Sequence, residues 1–543
     1  YLVWGMNPFG YHLTNLLLHA ANAALFFLLA LRLLRLGTTA VMEPHLRLGA
    51  AAAALFFALH PLRVESVAWV TERRDVLSGL FFLLALLTYL RAVEAQATRR
   101  RWLAGSIALY ALALLAKSSV MTLPFVLVLL DFYPLRRLAG RWRDWIARPA
   151  WPLWAEKIPY LLLAIAGALI ALYVKRFELT PFDAYPLSTR VPVALYSLWF
   201  YVWKTLLPLG LAPMYMLPAR VNPLDLPFVV STVAVTGITA ALLLLRRTWP
   251  AGLAVWAYYG IILAPALGIV HAGHQITNDR YSYLACLGWA LLAGAAVCVV
   301  LSARQSGALG RWWARAAAGA AVVWLVGFAA LTWQQIQVWR DTDTLWRHTL
   351  EFEPECAVCH SQLGVVLYNQ GIALSNQSHL ELALEYFHRA LALRPDYVGF
   401  HHNLALALTG LGRLPEAIEN FRRVIEKYPD KAYARNNLAV ALIRQGRLQE
   451  AVEQLRYAAR LAPDNHEVYS NLGTALTEAG KPEEALAHYR HAIELKPDAP
   501  QPRFGLAHAQ LLLGNPASAQ EQYEVLKRLD TRLASMLSPL VNR

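Results

Sequence analysis

The sequence is short of charge, of acid above all, and of cysteine. Only 16% of its 543 residues are Asp, Glu, Lys or Arg, where an ordinary soluble domain carries about 25%. A uniformly soluble protein is therefore excluded. Four cysteines, Cys286, Cys298, Cys356 and Cys359, are too few to staple a chain of this length. The acid deficit is local. Residues 355–543 hold 20 Lys and Arg against 20 Asp and Glu, which leaves 30 basic and 16 acidic residues for 1–354. The whole net charge of +14 thus lies between long apolar runs, the pattern of basic loops flanking membrane spans. That placement argues against nucleic acid as a partner. A charged leader with a cleavage site is also missing ahead of the first apolar run. The expectation is that an earlier span and an external loop precede Tyr1.

A helix crosses hydrocarbon with about 20 mostly apolar residues. Residues 11–35, 46–61, 76–92, 102–117, 119–134, 157–175, 192–208, 226–246, 250–271, 283–303 and 315–334 are apolar stretches, several of them short. Arg32, Arg35 and Arg47, then Arg99, Arg100 and Arg101, then Arg136, Arg137, Arg141, Arg143 and Arg148 fill alternate connections. Those connections read as cytoplasmic. Arg246, Arg247, Arg304, Arg311 and Arg315 join the same side only if 192–208 does not cross. That stretch follows the polar FELTPFDAYPLSTR and carries Lys204 and Pro208. It reads as a re-entrant or interfacial helix, the alternative being a true span that breaks the charge rule at one loop. Residues 1–334 then form a domain of about 10 spans, and the loops near 61–75 and 272–282 lie outside, as does everything after Gln334.

Repetition dominates the remainder. Pro395–Asp396, Pro429–Asp430, Pro463–Asp464 and Pro497–Asp498 recur every 34 residues, and Gly412, Gly446, Gly480 and Gly514 keep the same step. So do Ala383, Ala417, Ala451, Ala485 and Ala519. A helix–turn–helix period of 34 is the tetratricopeptide repeat. Gly ends each first helix, Ala lets the second pack closely, and Pro punctuates the passage onward. Five units fill 355–532, above the minimum of about three that a solenoid needs. The first, marked by Leu363, Gly364 and Ala383, has seven extra residues between its helices. Residues 335–354 read as a linker and 533–543 as a C-terminal tail. The fold class is all-α: a polytopic membrane bundle followed by a tetratricopeptide α-solenoid.

Asn403, Asn437 and Asn471 form a second 34-residue register. A ladder of such amides can hold an extended acceptor peptide by its backbone. The stretch resembles the repeat superhelix of O-GlcNAc transferases, which uses a ladder of this kind. Ordinary repeat consensus is the alternative, and Gln362 and Gly505 depart from the pattern.

The loop from His60 to Asp75 concentrates Glu65, Arg73, Arg74 and Asp75 at the external bilayer edge, where desolvation makes charge costly. Lys117 in AKSSVMTLP, His271, His274 and the string TNDRYSYL fall on the same side. Arg280 offers a planar fork for a phosphate, and Tyr281 and Tyr283 flank it. The string Cys356-Ala-Val-Cys359-His360 has haem c attachment spacing. It opens the first helix of a packed repeat with little room for a porphyrin, so a disulfide or free thiols is the reading.

Taken in order, HPLRVESVAWV (60–70), RDVLS (74–78), KSSVMTLP (117–124), DRYSYL (279–284), and Trp339, Asp341, Leu345, Trp346 and His348 carry a resemblance. The chain resembles the membrane-plus-tetratricopeptide branch of the GT-C glycosyltransferases. That branch includes the animal transmembrane-and-tetratricopeptide O-mannosyltransferases and bacterial relatives. The resemblance implies inverting transfer of a mannose-like sugar from a polyprenyl-phosphate carrier to a protein Ser or Thr hydroxyl. It implies a GT-C-like bundle whose general base, on the first external loop, would lie before Tyr1. Glu65 and Asp75 then match the second external loop, whose acids orient the acceptor or, in some members, a divalent metal. Arg280 would join them as the catalytic cation. Donor-phosphate binding falls to Arg280, Lys117, Arg74, Tyr281 and Tyr283, and acceptor-peptide binding to Asn403, Asn437 and Asn471.

No metal ligands are assigned and no cofactor is fixed. The partners expected are a lipid-linked sugar, a protein or peptide acceptor in the repeat groove, and membrane lipid. The Arg- and Ala-rich composition points to a bacterial inner membrane with periplasmic repeats; a eukaryotic member would hold them in the lumen of the endoplasmic reticulum. The alternative is a non-catalytic, membrane-anchored repeat scaffold for envelope or secretion assembly. A transporter fits less well, because the charges gather in external loops rather than mid-bilayer.

Overall fold

A computed structural model describes residues 5, 7–38, 41–138, 142–176, 186–217, 221–269 and 275–541. Arg141, His271, His274 and residues 177–185 of the polar stretch lie outside the described residues. The chain divides into two compact units, Tyr1–Pro354 and Glu355–Arg543.

The first unit contains α1 (Pro8–Gly37), α2 (Glu43–Leu59), α3 (Val64–Ala68), α4 (Arg73–Glu94), α5 (Arg99–Ala116), α6 (Leu123–Phe132), α7 (Trp142–Ile146) and α8 (Trp151–Ala155). It continues with α9 (Ile158–Lys175), α10 (Leu187–Leu206), α11 (Leu226–Leu244), α12 (Pro250–Leu263), α13 (Ser282–Ala285), α14 (Leu287–Gln305), α15 (Arg311–Val338) and α16 (Thr342–Phe352). One antiparallel ribbon joins β1 (Tyr215–Met216) to β2 (Gln275–Thr277).

Every apolar stretch read from the sequence is centred on a helix. Fewer of them have the length of a span than the ten expected. Five helices among the described residues are long and apolar enough to cross a membrane, or up to seven if each of two bent pairs counts as one. The segments Ser118–Phe132 and Pro250–Ala266 fall short, because about 20 residues are needed to cover the hydrocarbon. α10 is not among the candidate spans. At its start Arg190 donates to the Ile269 carbonyl at 3.0 Å, and near its end the Thr205 carbonyl meets His60 Nε2 at 3.0 Å.

α2 and α14 cross at small residues. A Cβ on Gly49 would overlap Cys298 Sγ and the Gly294 carbonyl, and one on Gly294 would overlap the Gly49 carbonyl. Only the missing side chains let these backbones approach, as at other crossings of small residues within membranes. α2 stops at Leu59 because Pro61 holds His60 out of the helical region. The chain bends by 57° there into the turns that carry the charged loop.

The second unit is five helix pairs: α17 (Ala357–Leu374) with α18 (Gln377–Leu393), α19 (Val398–Gly410) with α20 (Leu414–Lys427), and α21 (Ala432–Arg444) with α22 (Leu448–Leu461). Then come α23 (His466–Glu478) with α24 (Pro482–Leu495), and α25 (Pro500–Leu512) with α26 (Pro516–Leu529). Gly412, Gly446, Gly480 and Gly514 all turn at positive φ, 73° to 80°, where glycine pays no Cβ penalty. The five phased alanines are fully buried.

Three boundaries differ from the sequence reading. The seven extra residues of the first unit lengthen its helices, to 18 and 17 residues against 13 and 14 in the next. The expected linker is helical: α15 runs to Val338 and α16 follows, capped by the Asp341 side chain on the Thr344 N–H at 2.8 Å. The expected tail lies largely in α27 (Thr531–Val541), whose Ala534 and Leu537 bury against Ala507, Ala519 and Leu526. A repeat array needs such a cap for its last apolar face.

Candidate active site

The motif from His60 to Asp75 is a run of short helical turns. His60 caps the first turn, its Nδ1 accepting from the Leu62 N–H at 3.2 Å. Trp69 breaks the next, and Arg73 opens α4. These turns bury Arg63, Glu65, Ser66, Glu72 and Asp75.

A polar stripe on α1 fastens the segment from behind. Asn15 donates to the Val67 carbonyl at 3.1 Å and accepts from Arg73 Nε at 3.1 Å. Asn22 donates to the Val76 carbonyl at 2.8 Å and to the Tyr283 hydroxyl at 2.9 Å, and His19 Nδ1 meets the same hydroxyl at 2.8 Å. Asn15, His19 and Asn22 share one helical face. The sequence reading passed over this stripe, although three polar residues inside an apolar helix at that spacing were a visible signal.

Arg280 approaches from the other side, on the turn Asp279–Tyr281 ahead of α13. Its guanidinium bonds Glu65 Oε1 through Nη1, and its own N–H donates to Glu65 Oε2 at 2.6 Å. Nε lies 3.6 Å from Glu72 Oε1. Nη2 donates at 2.9 Å to the Asn278 side-chain oxygen, with that amide oriented by its neighbouring donors and acceptors. The Trp69 and Tyr281 rings each lie 5.3 Å from the guanidinium carbon, and Trp339 packs on Trp69 at 5.8 Å.

Glu72 links this pair to a second. Lys117 is bonded to Asp75 Oδ1 and lies 3.9 Å from Glu72 Oε2. Arg74 donates to both Glu72 oxygens, at 2.8 and 3.1 Å, while its own side chain stays 56% exposed. Three carboxylates and three cations therefore interlock, with Arg74 at the open side. Glu65, Asp75, Arg74, Lys117, Arg280 and Tyr281, all read from the sequence as site residues, are brought together. Tyr283 is not. It is buried behind the cluster against Gly79 of α4, its hydroxyl spent on Asn22 and His19.

The sequence reading missed Glu72, the hub, and Arg63. The Arg63 side chain is fully buried, with Nη2 on the Ser282 hydroxyl at 2.9 Å and no hydrogen-bond partner at Nε or Nη1. Asp279, next to Arg280 in sequence, faces elsewhere. That carboxylate accepts from the Tyr215 hydroxyl at 3.0 Å, away from Arg280. Burial, with the Glu65 charge beside it, holds Asp279 well above the usual carboxylate range. Among the described residues, no three His, Cys, Asp or Glu side chains gather as metal ligands do.

In the second unit the ladder asparagines have work of their own. Asn403 donates to Ser361 Oγ at 3.1 Å, Asn437 to His402 Nε2 at 3.4 Å, and Asn471 to Asn436 Oδ1 at 2.9 Å. Each bond runs to the first helix of the preceding unit. Gly505 breaks the ladder because Tyr489 packs against it, and a Cβ there would overlap that ring. Cys356 and Cys359 form a disulfide, buried at the start of α17.

Comparison with known proteins bears on both units. Sequence-family models of the tetratricopeptide repeat match residues 368–426, 402–466 and 476–532. Protein O-mannosyl-transferase Tmtc3 of Drosophila melanogaster is 25% identical over 462 residues, covering 74% of this chain and 48% of that protein. Protein O-mannosyl-transferase TMTC2 of Homo sapiens is 35% identical over 139 residues, 25% of this chain and 15% of its own. The chain thus spans about half the length of the fly protein and less of the human one. Among solved structures, a thermophilic tetratricopeptide protein of Thermus thermophilus covers 33% of this chain and all of its own, at 23% identity and a TM-score of 0.30. The chain is an integral membrane protein with tetratricopeptide repeats, similar over 74% of its length to one protein named as an O-mannosyl-transferase and over about a quarter of it to another.

Proposed function

We propose that the protein is a membrane glycosyltransferase that moves a mannose-like sugar from a polyprenyl-phosphate carrier to a Ser or Thr hydroxyl of a protein recruited by its repeats. The supporting observation is the cluster around Arg280, in which buried acid and base interlock under an aromatic wall. In inverting transfer the acceptor oxygen attacks the anomeric carbon as the bond to the phosphate breaks. The hydroxyl proton must reach a carboxylate, and negative charge grows on the departing phosphate. In this reading Arg74 on the open side, Lys117 behind it, and Arg280, held by Glu65 and Glu72, meet that charge. Asp75, and Glu72 in place of the Glu65 that Arg280 occupies, take the role of orienting the acceptor in this reading. Cations fixed before the reaction cost nothing to reorganise during it, and a poorly hydrated site makes each worth several kcal/mol.

The cluster and the repeats belong to the external face in this reading. α10 has both ends bonded to connecting segments, Ile269 after α12 and His60 after α2, which suits a helix that does not cross. A bacterial inner membrane with periplasmic repeats remains the proposed setting. Full-length protein in vesicles with a polyprenyl-phosphate mannose and a Ser/Thr peptide should glycosylate the peptide. Folded protein that transfers sugar from no polyprenyl-phosphate donor would leave the scaffold reading, which gains from one feature: Glu65 and Arg280 already satisfy one another.

The repeats supply the acceptor test. Replacing Asn403, Asn437 and Asn471 together by Ala should weaken binding of many unrelated extended peptides about equally. It should also lower stability, since each inter-unit bond is worth about 0.5–1.5 kcal/mol. Lower stability with unchanged peptide affinity, measured on the full chain by calorimetry, would reduce the ladder to an inter-repeat brace.

A further inference from the structure

The two ends of α4 have different surroundings. Asp75 at its start belongs to the acid–base cluster. Arg91, sixteen residues later and about 24 Å along the helix axis, borders a groove of about 390 Å³ between α1, α4 and α5. Leu28, Leu31, Leu87 and Trp102 line it, together with Arg32, Arg35 and Arg91. Its volume falls within the range of about 300–1,000 Å³ typical of sites for small amphiphiles.

The charges are cancelled only in part. Arg35 pairs with Glu43, and Arg91 lies 3.4 Å from Glu94. Arg32 reaches only the Leu87 carbonyl, at 3.2 Å, and has no acidic partner among the described residues. Arg100 and Arg101 precede Trp102 on α5 and have no acidic partner among the described residues either. Leu28 and Trp102 remain 48% and 38% exposed. Apolar side chains open to the surroundings, a tryptophan at their margin and a surplus of guanidinium groups fit one kind of occupant. It has an acyl chain and an anionic phosphate head.

We infer that this groove is a binding site for an acidic glycerophospholipid of the leaflet at that end. The acyl chain lies along the leucines and Trp102, and the phosphate sits among Arg32, Arg35 and Arg91. Basic pockets between membrane helices hold anionic headgroups in this way, with about 1 kcal/mol from each cation near the surface. The polyprenyl carrier is a poorer candidate, because its phosphate would belong at the opposite end, with Arg280. The inference needs the membrane but not the transferase reading.

Trp102 reports on the groove. Its fluorescence is obtained as the difference between the protein and its Trp102→Phe variant, in phosphatidylcholine vesicles. A brominated phosphatidylglycerol should quench it several-fold more strongly than brominated phosphatidylcholine at the same mole fraction. Arg32→Gln and Arg91→Gln should each reduce that preference about fivefold. Arg91 is half-exposed, so its variant folds even where that of Arg32 does not. Equal quenching by the two lipids overturns the site, as does a preference that both variants leave intact. Displacement of the brominated lipid by equimolar polyprenyl phosphate would also overturn it, and assign the groove to the carrier.

Discussion

Arg280→Lys should lower the turnover of sugar transfer by about two orders of magnitude, the scale of losing one preorganised charge stabiliser. The geometry says why lysine does not suffice. The guanidinium addresses Glu65, Glu72 and Asn278 along three directions and lies near two rings. An ammonium keeps the charge but cannot span those partners in one plane. The retained charge still balances Glu65, so the fold should hold while the cation moves out of register. Because charge develops on the phosphate only as the bond breaks, the loss belongs in turnover more than in donor affinity. A purely architectural role predicts otherwise: transfer would fall only as far as stability falls. The structure already removes one version of that role, since Asp279 bonds Tyr215 and is no partner of Arg280. A folded Arg280→Lys protein working at the wild-type rate would exclude the phosphate role.

How much of this was legible follows the range of each signal. The phased positions of the repeats were legible, because a 34-residue period repeats local chemistry: the glycine turns and buried alanines are where the spacing put them. The apolar helices were legible for the same reason, and their ends were not. Whether Ser118–Phe132 crosses depends on the packing of its neighbours, which hydropathy does not record. At the site, Glu65, Asp75, Lys117 and Arg280 were legible as charges where charge is costly. Glu72 was not, since within TERRD it looks like one more surface acid; burial makes it the hub, between Lys117 and Arg280, which come from distant parts of the chain. Tyr283 erred the other way. Its place beside Arg280 in sequence suggested the same environment, but one helical step turned it into the core.

The misreading with the largest energetic consequence lies at the other end of the bundle. Arg137 read as one of many loop arginines obeying a charge rule. In the structure its Nη1 donates to Asp131 Oδ1 at 2.9 Å and its Nη2 to Glu156 Oε2 at 2.9 Å. Lys157 lies 2.6 Å from Asp131 Oδ2, and the Tyr89 hydroxyl is 2.7 Å from both Asp131 oxygens. Asp131 is 1% exposed and its two cations only 13% and 7%. Asp131→Ala would leave Arg137 and Lys157 to share Glu156 alone, and losing one partner of a buried pair costs about 3–5 kcal/mol. Denaturant unfolding in detergent should show that loss. Breaking the exposed Arg35–Glu43 pair should cost no more than about 1 kcal/mol. The two are separable from simple packing loss by a second change. Lys157→Met in the Asp131→Ala background removes the excess cation and leaves Arg137 paired with Glu156, so the double variant should regain stability over the single one. If the two losses instead add, the charges contribute little and Asp131 matters only for the space it fills.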